Sequence, residues 1–167
     1  MKEVPFKEVF INGLVRDMKR RKLSKSEGNI IDPLEMIDKY GTDALRFTLA
    51  SLAVPGMDIA LSEERMAGYR AFANKIWNAS RFVLMNLGEG KTEPDDQYLS
   101  LSNRWIRSRL TRVISQLNDS LKHYKFYEAA ETIYHFIWHE FCDWYIEFIK
   151  PELRQGNKNT QAVMEDT

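Results

Sequence analysis

The stretch RDMKRRKLSKSEGN at residues 16–29 is the part of the sequence from which the organisation of the chain is inferred. Six of its fourteen residues are cationic, and Lys22 and Lys25 are separated by only two positions. Hydroxyl groups stand at Ser24 and Ser26, and the glycine and asparagine that end the stretch favour a sharp turn. Two ammonium groups on flexible stems, with hydroxyls beside them, suit a polyanion such as a triphosphate. A solvated basic loop without a ligand is the alternative interpretation.

The pattern continues in register beyond this loop. Its segments are KLSKS at 22–26, GN at 28–29, DPL at 32–34 and YGTDALR at 40–46. Together they resemble the Lys-Met-Ser-Lys-Ser signature region of class I aminoacyl-tRNA synthetases.

Later segments extend the resemblance to nearly the whole chain. GYRAFANKIWNASRF at 68–82 is similar to the valyl branch of that family rather than to its isoleucyl or leucyl branches. FCDWY at 141–145, followed by KP at 150–151, is similar to the anticodon-binding helices of the same branch.

The resemblance implies an enzyme that joins valine to tRNA(Val) in two steps. ATP, accompanied by Mg²⁺, reacts with valine to give valyl-adenylate and pyrophosphate, and the terminal ribose of the tRNA then takes the acyl group. In that reaction Lys22 and Lys25 are expected to be catalytic, because their ammonium groups stabilise charge on the departing phosphates. The expected ATP-binding residues are Lys22, Ser24, Lys25, Ser26 and Gly28, with the glycine allowing the loop to move.

Two residues near the loop depart from the family pattern. Leu23 stands where methionine is usual, a change that nearly conserves side-chain volume. Arg20 stands where the family commonly has a turn glycine, and a left-handed backbone there would cost an arginine about 1 kcal/mol. We therefore expect a different turn before the loop.

The sequence contains no Rossmann nucleotide-binding half, no His-x-Gly-His element, no editing domain and no evident valine pocket. The chain alone is therefore expected to be catalytically inactive. Its expected partners are tRNA(Val), ATP and valine, in a full-length monomeric enzyme that supplies the missing domains. Unmatched helical surface favours self-association of the fragment. Two alternatives remain open: a free-standing, non-catalytic helical module that binds tRNA or another RNA, and a remnant without a partner.

Composition limits the class of protein. Twenty-four acidic and twenty-four basic residues leave no formal net charge, so contact with nucleic acid has to come from a local patch. Cys142 is the single cysteine, which suits a reducing compartment. No apolar run approaches the roughly 20 residues that span a bilayer. We expect a cytoplasmic protein without membrane contact.

The hydrophobic pattern predicts a mainly α fold, a helical bundle preceded by a short segment of strand, loop and helix. The resemblance implies that residues 1–61 form a signature-loop segment of the stem-contact type, in which the pattern of residues predicts a strand at 9–15. It likewise implies that residues 62–167 form an anticodon-binding helical bundle that is truncated at its C-terminus.

Capping residues and turn residues predict where the helices of both segments begin and end. Starts are predicted at Asp32-Pro33, at Thr42 or Asp43, at Ser62, at Ser100 or Ser102 and near Lys125, with a surface loop at 88–96 and an opening helical turn at 160–167. The helix after Ser62 is expected to carry Trp77 and Leu84 in a broad apolar stripe. The helix over 125–151 is dense in aromatic side chains, which we assign to the core.

One helix face is a candidate surface for RNA. Arg104, Arg107, Arg109 and Arg112 recur in the first turns of the helix that follows Ser100, away from or beside its apolar stripe. We expect them to contact tRNA phosphates, with Trp105 as a stacking partner. A solvated outer face is the alternative.

A metal site is the last candidate. His135, His139 and Asp143 are spaced by four residues on one helix. Eight residues rise about 12 Å, so the three side chains would have difficulty reaching one ion. No metal site is expected.

Overall fold

The computed structural model describes residues 4–88 and 93–167, and most of them are helical, which confirms the predicted mainly α fold. The helices are α1 (Pro33–Tyr40), α2 (Thr42–Leu52), α3 (Glu63–Asn86), α4 (Leu101–Lys122), α5 (Phe126–His135), α6 (Ile146–Arg154) and α7 (Lys158–Asp166), with a π-helical segment (Phe136–Tyr145) joining α5 to α6. The strands are β1 (Val15–Arg16) and β2 (Ile59–Ala60). None of the helices in the described ranges has the length and apolar character needed to cross a membrane.

The two short strands form a parallel pair that ties the start of the chain to the segment before α3. Val15 lies opposite Ile59, and the Ile59 amide donates a hydrogen bond to the carbonyl of Leu14 at 2.8 Å. The predicted strand at 9–15 is wrong except at its last residue, because residues 9–14 are irregular chain. A strand requires a hydrogen-bonding neighbour. Among the described residues, β2 is the strand that pairs with β1, and its two residues lie opposite Val15 and Arg16, which leaves residues 9–14 without a paired strand.

Side chains cap three helices where the sequence predicted. The Asp32 carboxylate accepts a hydrogen bond from the Leu34 amide at 2.8 Å, and Pro33 is the first residue of α1. The hydroxyl oxygens of Ser62 and Ser100 accept hydrogen bonds from amides in the first turns of α3 and α4, each at 3.3 Å. Each of these bonds satisfies an amide that the helix itself leaves unpaired.

The start of α2 differs from the prediction, which gave its cap to Thr42 or Asp43. Gly41 both ends α1 and precedes α2, and its φ of 92° turns the chain abruptly between them. Thr42 is therefore already the first helical residue, and no side chain caps α2. Glycine takes such a φ without strain, so the two helices meet at one residue and leave no separate position for a capping side chain.

Two clusters of buried apolar side chains form the core. The larger one joins α4, the π-helical segment, α6 and α7, and its buried members are Ile106, Val113, Phe136, Phe141, Tyr145, Ile146, Ile149, Val163 and Met164. The smaller one lies within the signature-loop segment and the first turn of α3, and its buried members are Met36, Leu45, Leu61 and Met66. Between α2, α3 and α5, the Phe72 ring contacts those of Phe47 and Tyr134, with centroids 5.3 and 4.8 Å apart.

The apolar stripe of α3 is narrower than predicted. Met66 and Phe72 are buried, whereas Trp77 and Leu84 are 68% and 69% exposed. At about 100° per residue, Trp77 and Leu84 lie near the edge of the stripe, outside the strip that the neighbouring helices cover. Their predicted place in the packed stripe is therefore wrong.

The long helix predicted over 125–151 is continuous but not uniform. Its middle third is π-helical, and Pro151 lies within α6. Phe136, Phe141 and Tyr145 are buried as predicted, but Trp144 and Phe148 are about half exposed. A π-helix carries more residues per turn than an α-helix, so an α-helical period misplaces the side chains that follow it.

The last helix is longer than the predicted opening turn at 160–167. Asn157 caps it by accepting hydrogen bonds from the amides of Asn159 and Thr160, and α7 begins at Lys158. Its buried residues pack against α3, α4 and α6. Of the predicted loop at 88–96, residues 89–92 lie outside the described ranges.

Candidate functional site

A tight hairpin precedes the signature loop. Arg16 and Lys22 form an antiparallel bridge, and the Arg20 amide donates to the carbonyl of Asp17 at 2.8 Å. Arg20 has φ of 59°, the left-handed conformation that the usual glycine would take, so the expectation of a different turn is wrong. A type I turn closed by one left-handed residue matches the twist of the flanking chains, and hydrogen bonds between Asp17 and Arg21 hold it closed.

Asn29 ties the two ends of the signature loop together. Its side-chain oxygen accepts a hydrogen bond from the Ser24 amide at 2.8 Å. Its side-chain nitrogen donates to the carbonyl of Lys22 at 3.1 Å and to the Asp17 carboxylate at 3.2 Å. We call these two side chains, Asp17 and Asn29, the Asp17–Asn29 clamp. The sequence pattern did not identify either residue as part of the site, because Asn29 was assigned only to a turn. The available signal was an asparagine that follows a glycine at the end of the loop.

The carboxylate of the clamp is held in its charged form. Desolvation raises the pKa of Asp17, but hydrogen bonds from the Arg21 amide, from Asn29 and from the Arg21 guanidinium lower it to about 2. The guanidinium lies 2.7 Å from the carboxylate. Asp17 is therefore ionised at neutral pH and strengthens the hydrogen bond that it accepts from Asn29.

The middle of the loop is a single 3₁₀ turn. It runs from Lys25 to Glu27, and the hydroxyls of Ser24 and Ser26 share a hydrogen bond of 2.7 Å across its start. Gly28 ends the turn with φ of 65° and donates its amide to the carbonyl of Lys25 at 3.3 Å. Leu23, the replacement for methionine, is half-buried.

The two signature lysines project from this loop into solvent. Lys22 and Lys25 are exposed, and neither forms an ion pair with any described residue. The neighbouring cations Arg16 and Arg21 are paired, with Asp58 and Asp17 respectively. The loop therefore presents its two lysine ammonium groups free of competing carboxylates.

Ion pairs engage two of the four arginines on the predicted RNA-binding face of α4. Arg109 donates two hydrogen bonds of 2.6 Å to the carboxylate of Glu140, and this pairing holds the pKa of Arg109 above its usual value. Arg107 is paired with Asp96. Arg104 and Arg112 are exposed, and among residues 4–88 and 93–167 neither has an ionic partner. The helix thus leaves two guanidinium groups facing solvent.

Trp105 belongs to an aromatic group at the surface. Its ring lies edge-on to Phe148, with centroids 6.4 Å apart, and Phe148 contacts Trp144 at 5.5 Å. Trp105 is half-buried, so only part of its ring is open for stacking.

Of the three residues considered for a metal site, only His139 and Asp143 contact each other through polar atoms. His139 lies 3.2 Å from Asp143, and Lys75 donates to the same carboxylate at 2.5 Å. The rings of His135 and His139 are 5.3 Å apart. The Lys75 ammonium also lies 4.2 Å from the centre of the Trp138 ring. No group of three or more metal-ligating side chains is found in the described part of the chain.

Comparison with known proteins gives consistent results along the chain. Residues 1–62 match the model of tRNA synthetases class I (I, L, M and V), and residues 103–167 match the anticodon-binding domain of tRNA ligase. The chain is 56% identical over 156 residues to the valine–tRNA ligase of Syntrophotalea carbinolica and 56% identical over 160 residues to that of Geobacter sulfurreducens. These alignments cover 92% and 94% of this chain but only 17% and 18% of the relatives. The chain therefore spans less than a fifth of the length of these relatives.

A solved structure shows the same fold. It is a ternary complex of an Agrobacterium radiobacter K84 LeuRS with tRNA and LeuAMS, and it superimposes with a TM-score of 0.75 over 96% of this chain and 19% of the other. Sequence identity in that comparison is 20%.

Proposed function

Because this chain belongs to the class I aminoacyl-tRNA synthetases and is homologous to valine–tRNA ligases over nearly its whole length, we propose that it works as part of a valine–tRNA ligase. Residues 1–61 carry the signature loop that aids activation of valine by ATP. Residues 62–167 form the helical part that binds tRNA(Val). The catalytic half and the editing domain are contributed by sequence outside this chain.

The proposal rests on two ammonium groups of a closed loop that have no ionic partner among residues 4–88 and 93–167. Lys22 and Lys25 stand on either side of the Ser24 amide, which Asn29 holds in place. In the first step of the reaction, attack of the valine carboxylate on the α-phosphorus of ATP releases pyrophosphate. The two lysines stabilise the negative charge that builds on that leaving group, and they accelerate the step only as far as they bind it more tightly in the transition state.

The remaining loop residues have supporting roles in the proposal. The hydroxyls of Ser24 and Ser26 donate hydrogen bonds to phosphate oxygens once their mutual hydrogen bond of 2.7 Å opens. Gly28 takes a left-handed conformation that other residues adopt with strain, and this lets the loop reverse direction behind Lys25. Mg²⁺ accompanies ATP by binding its phosphate oxygens, whereas the loop supplies cations and hydroxyls, which are poor ligands for it.

Replacement of Lys25 tests the catalytic role. In the complete ligase, Lys25→Ala should lower kcat for ATP–pyrophosphate exchange by about 100-fold, with a much smaller rise in KM for ATP, because the contact strengthens in the transition state. Lys19→Ala, which removes an exposed cation from the preceding turn, is the matched control. Equal losses in kcat and in ATP affinity would contradict the proposed role of Lys25.

The isolated chain gives a second test. Purified residues 1–167 should show no exchange of labelled pyrophosphate into ATP in the presence of valine, because a single loop does not make an active site. Robust exchange would contradict the division of labour proposed here. Binding of tRNA by a complete natural protein that never catalyses exchange would favour a non-catalytic RNA-binding module instead.

For tRNA contact we propose the arginine face of α4, with Arg104 and Arg112 as the main phosphate contacts. Arg107 and Arg109 would first have to leave Asp96 and Glu140, and Trp105 supplies a partly open ring. Arg104→Gln combined with Arg112→Gln should reduce the slope of log affinity for tRNA(Val) against log salt by about 1.5. Arg154→Gln with Lys158→Gln removes two charges elsewhere and serves as the control; an unchanged slope in the α4 variant would move the RNA site away from this face.

We propose the cytoplasm as the place where this protein acts. Its single cysteine suits a reducing compartment, and the ATP and tRNA of the proposed reaction are cytoplasmic.

A further inference from the structure

We propose that Asp17 and Asn29 are positioning residues of the signature loop, which fix the directions in which Lys22 and Lys25 meet phosphate. The inference rests on the proposed function and extends it to two side chains that contact no ligand themselves. They act through the backbone at Lys22 and Ser24.

The side chain of Asn29 fixes the loop backbone at two points. Asn29 holds the carbonyl of Lys22 and the amide of Ser24, so the peptide units on both sides of residue 23 are fixed by one side chain. The Cα of Lys22 therefore has a set position, and the 3₁₀ turn that carries Lys25 starts from a set position as well. The two lysine stems leave the loop from fixed points.

The hydrogen-bond partners of the Asn29 side-chain amide fix its orientation. Its oxygen faces a donor, the Ser24 amide, while its nitrogen faces two acceptors, the Lys22 carbonyl and the Asp17 carboxylate. A rotation by 180° would place donor against donor and acceptor against acceptor at all three contacts. The ionised Asp17 therefore selects the one orientation that closes the loop.

The clamp also affects the entropic cost of binding phosphate. Without it, the eight-residue loop 22–29, which contains a glycine, would sample many backbone conformations. Binding of phosphate would then have to order the loop, at a cost in conformational entropy. The clamp lowers that entropic cost, because hydrogen bonds within the chain already fix the loop backbone. Only the flexible lysine side chains then remain to be ordered.

The experiment uses the ¹⁵N-labelled chain and inorganic tripolyphosphate as the probe. Asn29→Ala should weaken the affinity for tripolyphosphate about five- to tenfold and speed hydrogen exchange at the Ser24 amide at least tenfold. Lys25→Ala should weaken binding without changing exchange at Ser24, which separates a phosphate contact from a positioning role. Asn118→Ala, on the exposed face of α4, is the control. Thermal melts of every variant establish that the bundle is folded.

A double-mutant cycle tests whether the clamp acts as one unit. Asp17→Ala together with Asn29→Ala should weaken tripolyphosphate binding no more than Asn29→Ala alone, because both changes break the same chain of hydrogen bonds. Asn29→Asp should fail to rescue binding, since a carboxylate keeps the acceptor for Ser24 but loses both donors and faces the charged Asp17.

The outcomes separate this inference from the proposed function. If the unsubstituted chain does not bind tripolyphosphate, the proposed phosphate contact is wrong, and the positioning role is wrong with it. If that chain binds and Asn29→Ala binds equally tightly or more tightly, only the clamp is overturned. Unchanged exchange at the Ser24 amide in Asn29→Ala would overturn it too.

Discussion

At the scale of single residues, the hairpin before the signature loop retains a strained conformation. Arg20 adopts a left-handed backbone, which costs a residue with a Cβ about 1 to 2 kcal/mol. The Asp17 carboxylate accepts hydrogen bonds from the backbone amide and the guanidinium of Arg21, and these hold the turn closed in spite of that cost. The turn is therefore determined by its neighbours rather than by the residue that bears the strain.

Arg20→Gly should stabilise the chain slightly. Glycine removes the left-handed strain but loses more backbone entropy on folding, about 0.5 to 1 kcal/mol, so we expect a net gain of about 0.5 kcal/mol. Urea unfolding measures the change. Lys19→Gly, one residue earlier in the same turn and without a positive φ, should destabilise instead; a loss of stability for both variants would contradict the strain argument.

The charge of Asp17 makes the signature loop sensitive to acid. Its pKa in the folded chain is about 2, below the ordinary value of 3.8, so its contribution to stability is fully present above pH of about 4 and is lost as the pH falls towards 2. Titration of the Asp17 carboxyl carbon by NMR should give a midpoint near 2. In Asn29→Ala the midpoint should rise towards 3.8, since one hydrogen bond to the carboxylate is gone. A midpoint that does not move would mean that Asn29 and Asp17 are not bonded in solution.

At the scale of elements, a buried chain of hydrogen bonds joins four pieces of the bundle. The Tyr145 hydroxyl donates to Asn103 at 2.8 Å, and Asn103 donates to Thr160 at 2.9 Å. Thr160 in turn donates to Glu152. These residues come from the π-helical segment, α4, α7 and α6, and burial raises the pKa of the Tyr145 hydroxyl above its usual value. The chain fixes the register of α7 against the rest of the core, because each polar group has one partner that fits.

Asn103→Leu should destabilise the chain by about 2 to 3 kcal/mol. The leucine removes the acceptor of the Tyr145 hydroxyl and the donor to Thr160, and an unsatisfied buried polar group costs about 1 to 3 kcal/mol. Adding Tyr145→Phe should recover about 1 kcal/mol, because the orphaned hydroxyl is then absent. Urea unfolding measures the free energy of unfolding of both variants, with Asn118→Leu on the exposed face of α4 as the control. Equal stability of the single and double variants would contradict the explanation by an unsatisfied hydroxyl.

At the scale of the whole molecule, the irregular N-terminal chain is held against the turn between α4 and α5. The Phe10 ring lies 5.8 Å from Tyr124 and 5.4 Å from Phe126, and the Tyr124 hydroxyl donates to Glu8. This contact joins parts of the sequence more than 110 residues apart. It holds the N-terminal chain against the helical bundle, whereas the β1–β2 pair joins two parts of the signature-loop segment to each other.

Phe10→Ala should loosen that fastening without unfolding the bundle. Aromatic pairs contribute about 0.5 to 1.5 kcal/mol each, so loss of these two should raise the rate of tryptic cleavage after Lys7 about tenfold. The urea midpoint of the bundle should barely change. Val9→Ala, at a side chain that is 77% exposed, is the control. If Phe10→Ala and the unsubstituted chain were cleaved at the same rate, the N-terminal chain would be held by contacts other than those of Phe10.

Local sequence signals predicted the parts of this structure that depend on local energetics. Asp32, Ser62 and Ser100 cap helices because each offers an oxygen to an unpaired amide within the same turn. The same signals failed at Arg20 and at the π-helical segment. At Arg20 the strain is offset by hydrogen bonds between Asp17 and Arg21 in the same hairpin. The π-helical segment makes contacts with a distant residue, since Asp143 and Trp138 both contact Lys75.

The sequence by itself determined the mainly α fold and the starts of α1, α3 and α4, since periodicity and capping residues depend only on residues close together in the chain. Only the tertiary structure decided which charges remain free. Glu140 is 31 residues from Arg109, and Asp58 is 42 from Arg16, so no local pattern reveals that these cations are neutralised. Nor does it reveal that Lys22 and Lys25 have no ionic partner in the part of the chain that the structure describes. An ion pair forms where the fold brings opposite charges within a few ångströms, and that distance depends on the packing of the whole chain.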